Sequence, residues 1–435
     1  MILYDKLNEI VPVWRERVRK LLKEYGNVKV NDFTIDQVYG GMRDVEVLVT
    51  DISYVDPATG IRFRGYTIPE VLEKLPKADG ATMPYVGGLY YLLLTGEIPT
   101  AEQARAVEAE WQARAAMPAH VEQVLRAMPN ETHPMTLFSQ GILALQTEAQ
   151  FVKRYHAGMK KDEYWIPMLE DSLNLIARLP VLVAMIYCKK YSKCEMGQAD
   201  PHLDWAGNFA RRLGIVNKEY EDLSRLYMIL HSDHESGNVS AHTVHLVGSA
   251  LSDVYLAFSA GMNGLAGPLH GLANQECLSW LLSLRERFGG VPTPDQLEQF
   301  AHETLAAGKV IPGYGHAVLR TPDPRFVAQY EFGKKYFPDD ELFRIAELVY
   351  QIVPSVLKAQ GKAKNPWPNV DAISGTLQYH YGVREFDFYT VLFGLSRALG
   401  VTANLIWARA LGLPIERPKS LTTAMLEEIA QSAKR

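Results

Sequence analysis

The segment at residues 310–325 combines a histidine and two arginines with small residues that let a ligand approach the backbone closely. Its sequence is V-I-P-G-Y-G-H-A-V-L-R-T-P-D-P-R, with His316 behind two glycines and arginines at positions 320 and 325. Asp323 and Pro324 form a typical helix opening, so we expect Arg325 in the first helical turn. The N–H groups and partial positive charge of a helix start favour anions. The segment predicts a site for an anionic substrate beside a titratable histidine, although an ordinary loop and helix start could have the same sequence.

A second candidate residue, Arg397, lies in the segment 389–411, which is apolar almost all round and predicts a helix buried on every side. Arg397, Asn404 and Arg409 interrupt the apolar run, so a membrane span is not indicated. An uncompensated charge inside a helical core costs several kcal/mol. Arg397 must therefore pair with a protein carboxylate or with a ligand, and the sequence leaves both alternatives open.

Four histidines form two closely spaced pairs, H-S-D-H at 231–234 and H-T-V-H at 242–245. Clustered histidines could bind zinc, or they could be core residues satisfied by hydrogen bonds. Helical spacing places His234 on one stripe with Leu223 and Tyr227, which would direct it into the core or an active cleft.

His270 and Asp371 each stand where a helix is expected to begin. His270 lies in G-P-L-H-G, where the dipole of the following helix would keep the imidazole neutral and able to donate a hydrogen bond. Asp371 follows G-K-A-K-N-P-W-P-N-V, and a helix dipole would favour its ionised form. A fixed carboxylate after a basic loop suggests a general base beside a phosphate-rich ligand. The alternative is that Asp371 is only a helix cap.

The elements that must position these residues are mostly helical. Alternating runs at 45–54 and 61–66, separated by D-P-A-T-G, predict a small β-hairpin. From residue 67 onward helical periods dominate, including 218–234 and 240–266, so the predicted fold class is all-α. With 47% hydrophobic residues and a net charge of −5, the composition is that of a globular protein and argues against nucleic-acid binding.

Together these motifs resemble the citrate synthase family, over essentially the whole chain. The most specific is G-Y-G-H-A-V-L-R-T-P-D-P-R at 313–325, which looks like the signature of that family. Further segments that resemble it are Y-G-G-M-R at 39–43, G-I-R-F-R-G-Y at 60–66, H-S-D-H-E at 231–235, N-G-L-A-G-P-L-H-G-L-A-N-Q-E at 263–276, K-N-P-W-P-N-V-D at 364–371, F-G-L-S-R-A-L-G at 393–400 and E-R-P-K-S at 416–420. The likeness is nearest to the dimeric si-type enzymes typical of mitochondria.

The resemblance implies a large helical domain, residues 1–273 and 381–435, and a smaller helical domain, 274–380, that closes over a cleft. It implies a transferase that condenses acetyl-CoA with oxaloacetate and water to give citrate and CoA. No metal and no cofactor beyond the CoA thioester substrate are implied. The partners would be oxaloacetate, acetyl-CoA and a second copy of the chain in a homodimer, with no nucleic acid and no membrane.

Matching the motifs residue by residue gives each candidate a role. His270 would hydrogen-bond the thioester oxygen, Asp371 would remove a methyl proton, and His316 would polarise the ketone. Oxaloacetate would be held by His234, Arg325, Arg397 and, from the partner subunit, Arg417. The CoA site would be formed by the backbone of Val310, Ile311, Pro312, Gly313, Tyr314 and Gly315, with Arg320, Lys362, Lys364, Asn369 and Arg43.

Three rival functions stay open at this point, and one of them is a non-catalytic helical scaffold. A 2-methylcitrate synthase would use propionyl-CoA, and one extra methylene changes specificity by only about 1–3 kcal/mol. A histidine-ligated metallohydrolase would use the paired histidines. The early acidic residues Asp5 and Glu9, without an apolar leader, favour the cytoplasm, although a matrix protein whose presequence had been removed would also fit.

Overall fold

The computed structural model describes residues 1–191, 196–316, 318–361 and 365–433, and these form twenty α-helices and one small sheet. The helices are α1 Ile2–Tyr25, α2 Ile35–Tyr39, α3 Ile68–Lys74, α4 Val86–Thr95, α5 Ala101–Arg114, α6 Ala119–Ala127, α7 Pro134–Ala144, α8 Gln150–His156, α9 Trp165–Tyr191, α10 Trp205–Arg212, α11 Lys218–Leu230, α12 Val239–Ser249, α13 Val254–Leu265, α14 Ala273–Phe288, α15 Pro294–Ala306, α16 Pro324–Tyr336, α17 Glu341–Gln360, α18 Asp371–His380, α19 Tyr389–Ala410 and α20 Thr423–Ser432. The all-α prediction is confirmed.

The sheet is antiparallel, in the order β1 Ser53–Asp56, β2 Gly60–Phe63 and β3 Tyr66–Thr67. The hairpin prediction is correct in place but wrong in extent, because residues 45–52 lie outside the strands. The expected second strand divides in two, since Arg64 and Gly65 both have positive φ values, 49° and 91°, and turn the chain.

Two expected helices also end differently. The predicted helix 218–234 stops at Leu230, so His234 lies in the loop after α11 and not on its apolar stripe. The predicted helix 240–266 is two helices, α12 and α13. Leu251, with a φ of 66°, stands in the break between them, and Asp253 caps the second helix.

The core is centred on α19, which contacts α9, α12, α13, α4 and α11. Arg397 is buried within this helix, as its sequence predicts. Two stretches of the described chain, Lys161–Tyr191 and Phe386–Ala410, are long and apolar enough to cross a membrane, but both are largely buried inside the protein. Such burial is typical of core helices.

Helices α14 to α18 pack largely on one another. The 310–325 segment connects α15 to the first turn of α16, and Asp371 is the first residue of α18. The hairpin touches this group as well, since the N–H of Arg320 donates to the carbonyl of Pro57 at 2.9 Å. The division into residues 1–273, 274–380 and 381–435 stays a prediction.

Candidate active site

Arg325 stands in the first turn of α16, where the sequence places it, and Asp323 is the N-cap. The Asp323 carboxylate accepts the backbone N–H of Arg325 at 2.9 Å and also pairs with the guanidinium, Nη2 to Oδ2 at 2.7 Å. Burial alone would raise the pKa of Asp323, but the nearby positive charge outweighs it and the pKa is lowered. Arg325 is thus a buried cation held rigidly by its own helix cap.

His316 is fixed as a neutral hydrogen-bond donor. Its Nδ1 accepts the backbone N–H groups of Val318 and Leu319, at 3.1 and 3.0 Å. The proton of the neutral ring must therefore be on Nε2. Burial, and then the charge of Arg325, lower the pKa of His316 to about 4. Near neutral pH the ring can donate from Nε2 to a developing oxyanion.

His234 faces His316, with ring centroids 5.6 Å apart. Its carbonyl accepts from the side-chain amide of Asn238 at 2.7 Å. Burial, followed by the charges of Arg325 and Arg397, holds the pKa of His234 well below its usual range. The ring is therefore a neutral neighbour of two arginines.

Arg397 is 2% exposed, and no carboxylate of the described residues lies within 4.0 Å of its guanidinium. Its Nε donates to the carbonyl of His231 at 3.2 Å, and its Nη1 donates to Asn238 Oδ1 at 3.3 Å. The guanidinium also lies 4.7 Å from the ring centre of Phe393. Burial lowers the pKa of Arg397 to about 10. Of the two alternatives that the sequence left open, these contacts favour a ligand over a structural salt bridge.

His270 contacts the start of α12, where Asn238 is the N-cap. Its Nε2 lies 2.8 Å from Ser240 Oγ and 3.3 Å from the Ser240 N–H, which donates to it. An accepting Nε2 leaves the proton of the neutral ring on Nδ1. Burial, and then Arg397, lower the pKa of His270 to about 4. A neutral ring was predicted and agrees with this lowered pKa, while the helix start that His270 contacts is that of α12.

Asp371 is the first residue of α18, as predicted, and its backbone N–H donates to Asn369 Oδ1 at 2.9 Å. Burial raises the pKa of Asp371 to about 6, although the charge of Arg325 acts in the opposite direction. Desolvation is thus the largest effect on this carboxyl group, and the predicted influence of the helix dipole stays a prediction. A carboxylate with this pKa is ionised at neutral pH and more basic than an exposed one.

Residues 313–315 run beside the 365–369 segment. The N–H of Gly315 donates to the Trp367 carbonyl at 3.0 Å, and the N–H of Asn369 donates to the Gly313 carbonyl at 2.9 Å. Gly313 has a φ of 78°, and a Cβ there would lie 2.7 Å from the Cα of Ala372. The glycine is thus required by close packing against α18, next to Asp371.

The predicted CoA residues differ in their surroundings. Val310 and Arg320 are exposed, Ile311 and Gly313 are buried, and Pro312, Tyr314 and Gly315 are half-buried. The Asn369 amide donates to the Gly315 carbonyl at 3.0 Å, so it joins the two segments. Arg43 is exposed in a turn after α2. Lys362 and Lys364 lie outside the described residues.

Arg417 is exposed beyond α19, next to Glu416, which accepts from His242 Nε2 at 2.8 Å. The second histidine pair therefore contacts Glu416. In the first pair, His231 is a core residue whose Nδ1 donates to the Tyr227 carbonyl at 3.0 Å. Among the described residues, no three or more His, Cys, Asp or Glu side chains are grouped so that they could hold a metal ion.

Sequence reasoning missed Asn238 and Ser240. Asn238 contacts both His234 and Arg397, and Ser240 contacts His270. An asparagine before an apolar run is a recognisable helix N-cap. Its partners, however, lie up to 159 residues away along the chain, and no local pattern indicates them.

One region thus gathers the side chains of His234, His270, His316, Arg325, Asp371 and Arg397. Neutral histidine donors, a basic carboxylate and buried arginines in a helical fold define an acid–base enzyme for an anionic substrate. The family profile described as citrate synthase, C-terminal domain, matches residues 41–419. The chain belongs to the citrate synthase family, and it is accordingly a transferase.

Two relatives and one solved structure illustrate the similarity. "Probable citrate synthase, mitochondrial" of Glossina morsitans morsitans is 53% identical over 430 residues, covering 99% of this chain and 92% of the relative. "Citrate synthase, mitochondrial" of Xiphias gladius is 52% identical over 422 residues, covering 97% and 90%. The crystal structure of citrate synthase from Pyrobaculum aerophilum is 26% identical, with a TM-score of 0.76, and covers 88% of this chain and 92% of that one.

The comparisons also bear on the open alternatives. The relatives are named citrate synthases and not methylcitrate synthases or metallohydrolases, so the main interpretation is supported and the rivals are not. The relatives are also named mitochondrial, which supports the matrix alternative and not the cytoplasmic expectation.

Proposed function

We propose that the described site carries out the reaction named by the family, the condensation of acetyl-CoA with oxaloacetate and water to citrate and CoA. The observation that carries the proposal is the buried guanidinium of Arg397, which has no carboxylate partner within 4.0 Å among the described residues. A dicarboxylate substrate would supply the missing negative charge. Arg397, Arg325 and His234 would then bind oxaloacetate from three directions, and paired charges of this kind fix its orientation.

Enolisation of the acetyl group is the first chemical step. Asp371 removes a proton from the methyl carbon while the Nδ1–H of His270 donates to the thioester oxygen, where negative charge develops. The raised pKa of Asp371, about 6, suits a base that must abstract a weakly acidic proton near neutral pH. Each of these two groups typically accelerates such a step by about 10²- to 10⁴-fold.

Carbon–carbon bond formation follows. The enol carbon attacks the ketone carbon of oxaloacetate, and the Nε2–H of His316 gives its proton to the ketone oxygen as that oxygen becomes a hydroxyl. Water then attacks the thioester carbon of citryl-CoA and returns a proton to His316 Nε2. The C–S bond breaks, the protonated Asp371 gives its proton to the leaving sulfur, the new carboxyl group loses its proton to solvent, and citrate and CoA leave. None of these steps requires a metal ion. Closure of the 274–380 region over the substrates would exclude water until condensation is complete.

The CoA moiety is proposed to lie along residues 310–315, with Arg320, Lys362, Lys364 and Arg43 near its phosphates. Asn369 is proposed to act at this site through the backbone, since its amide holds Gly315 and its Oδ1 holds the N–H of Asp371. The segment that binds CoA would thereby be joined to the catalytic base.

A homodimer, with Arg417 entering the oxaloacetate site of the partner, is proposed for the assembled enzyme. Apolar side chains are exposed near both ends of the chain, among them Val49 at 80% and Ile415 at 61%. Exposed apolar surface of this kind is typical of an interface. The hydroxyl groups of Tyr39 and Thr423 lie 2.8 Å apart and join the two terminal regions. The mitochondrial matrix is the proposed location, with no nucleic-acid or membrane partner.

The experiment that tests the function measures free-thiol release from acetyl-CoA or propionyl-CoA, with and without oxaloacetate and EDTA. We expect oxaloacetate-dependent release that EDTA does not inhibit and that strongly prefers acetyl-CoA. Preference for propionyl-CoA would instead assign the methylcitrate reaction. Absence of oxaloacetate-dependent release from folded protein would refute the proposal.

A further inference from the structure

His234 is flanked by two acidic residues, and both of them contact strand β1. The Ser53 hydroxyl donates to Asp233 Oδ2 at 2.6 Å and accepts the backbone N–H of Glu235 at 2.8 Å. The N–H of Val55, two residues further along the strand, donates to Glu235 Oε1 at 2.6 Å. Three hydrogen bonds therefore hold the residues on either side of His234 to the hairpin.

The backbone of Glu235, in this loop, has a conformation that contacts with neighbouring residues must stabilise. Glu235 has a φ of 56°, in the left-handed region that side chains other than glycine rarely adopt. Such residues persist only where the surroundings over-determine them. Ser53 and Asp233 are both buried, so their hydrogen bond is shielded from water.

A serine suits this position because one hydroxyl can donate and accept at the same time. Here it donates to a carboxylate and accepts from an amide. Alanine would do neither, and the Glu235 N–H would lose its hydroxyl acceptor. The second carboxylate oxygen, Asp233 Oδ1, is buried and already lacks a hydrogen-bond partner.

The same loop is held by α19. The N–H of Gly400 donates to the Ser232 carbonyl at 3.0 Å, and a Cβ on Gly400 would lie 2.3 Å from Asp233 Oδ1. The loop is therefore clamped by β1 and by the helix that carries Arg397. The His234 ring, between the two clamped acidic residues, faces His316.

We propose that Ser53 is a positioning residue for oxaloacetate, whose hydroxyl fixes residues 233–235 and thereby the His234 imidazole. This inference rests on the proposed function, in which His234 binds the substrate. Without the hydroxyl, binding must first order the loop, and that cost weakens affinity. The effect falls on oxaloacetate binding and KM, and less on kcat at saturation, because Ser53 itself contacts none of the reacting groups.

The test is a double-mutant cycle on the dissociation constant of oxaloacetate, with Ser53→Ala, His234→Ala and the double variant. Loss of a hydrogen bond to a buried carboxylate should raise the dissociation constant about 10- to 100-fold for Ser53→Ala. Because Ser53 acts through His234, the double variant should bind no more weakly than His234→Ala. Tyr54→Phe is the matched control: it removes a hydroxyl from the next residue, whose side chain is exposed, and should leave the constant unchanged.

Unchanged oxaloacetate binding in Ser53→Ala, or additive losses of affinity in the double variant, would overturn the positioning role of Ser53. The role of His234 in binding oxaloacetate would stand. Unchanged oxaloacetate binding in His234→Ala would instead show that the His234 side chain does not bind oxaloacetate and would refute the proposed role of that histidine. If Ser53→Ala does not fold, Glu235→Ala in the same cycle removes the hydrogen bond from Val55 and tests the same clamp.

Discussion

Arg397 donates from Nη1 to the side-chain carbonyl of Asn238, at 3.3 Å, and not to a carboxylate. A neutral amide orients the guanidinium without cancelling its charge. Arg225 is the contrasting case, because its Nε and Nη2 pair with both carboxylate oxygens of Asp204, at 2.8 and 2.9 Å. Of these two buried arginines, Arg225 is neutralised by a carboxylate of the protein, whereas Arg397 keeps its charge for a ligand.

The substitution Arg397→Met is expected to weaken oxaloacetate binding without lowering the free energy of unfolding. Because the arginine has no carboxylate partner to leave unpaired, its removal should leave the free energy of unfolding unchanged or raise it. Oxaloacetate would lose at least one charge-assisted pair, each worth about 1.5–3 kcal/mol, so its dissociation constant should rise at least tenfold. Calorimetric titration and denaturant unfolding measure the two quantities.

Arg225→Met is the matched control for this prediction. It leaves Asp204 and Asp222 without their cation, so it should destabilise the fold by about 3–5 kcal/mol. Arg397 would be a structural residue if two results were found together: Arg397→Met lowers the free energy of unfolding as much as Arg225→Met does, and the Arg397→Met variant binds oxaloacetate with an unchanged dissociation constant.

Asp371→Asn should abolish turnover while preserving oxaloacetate binding. The amide is of similar size but cannot take a proton, so kcat should fall by at least about 10²- to 10⁴-fold. Oxaloacetate should bind as tightly as before or more tightly, since a negative charge near Arg325 and Arg397 is removed. Thiol-release rates and equilibrium binding test both statements, and near-normal turnover would exclude Asp371 as the base.

The pH dependence of kcat/KM for acetyl-CoA should have its acid limb near pH 6. Burial raises the pKa of Asp371 to about 6, and only the ionised form acts as a base, so activity is present above this pH and falls about tenfold per unit below it. His270 and His316, with pKa values lowered to about 4, should add no limb above pH 6. A limb near pH 4, with full activity at pH 5, would contradict the assignment. The dissociation constant of oxaloacetate over the same range controls for binding.

Local patterns in the sequence predicted much of the site. The Asp323-Pro324 helix opening, the place of Asp371 at a helix start and the burial of Arg397 each depend on neighbours within a few residues, and each is confirmed. The resemblance of the motifs to one family predicted which distant segments belong together.

Local patterns could not predict the contacts between segments that lie far apart along the chain. The partners of Arg397 include the His231 carbonyl, 166 residues away, and Ser53 contacts Asp233 across 180 residues. The strand prediction was wrong over residues 45–52 because alternation specifies an apolar face but not a neighbouring strand. His234 was misplaced because the apolar stripe continues in sequence after the helix has ended at Leu230.

Mixed dimers of two inactive variants should regain activity. If each site combines Asp371 of one subunit with Arg417 of its partner, Arg417→Ala and Asp371→Asn homodimers should both be inactive. A heterodimer of the two variants contains one complete site out of two, so the isolated heterodimer should have about half of the wild-type activity. Co-expression with two affinity tags isolates the heterodimer for the thiol-release assay. Lys419→Ala, an exposed change in the same segment, should stay active alone. A heterodimer no more active than its parents would show that Arg417 does not serve the partner site.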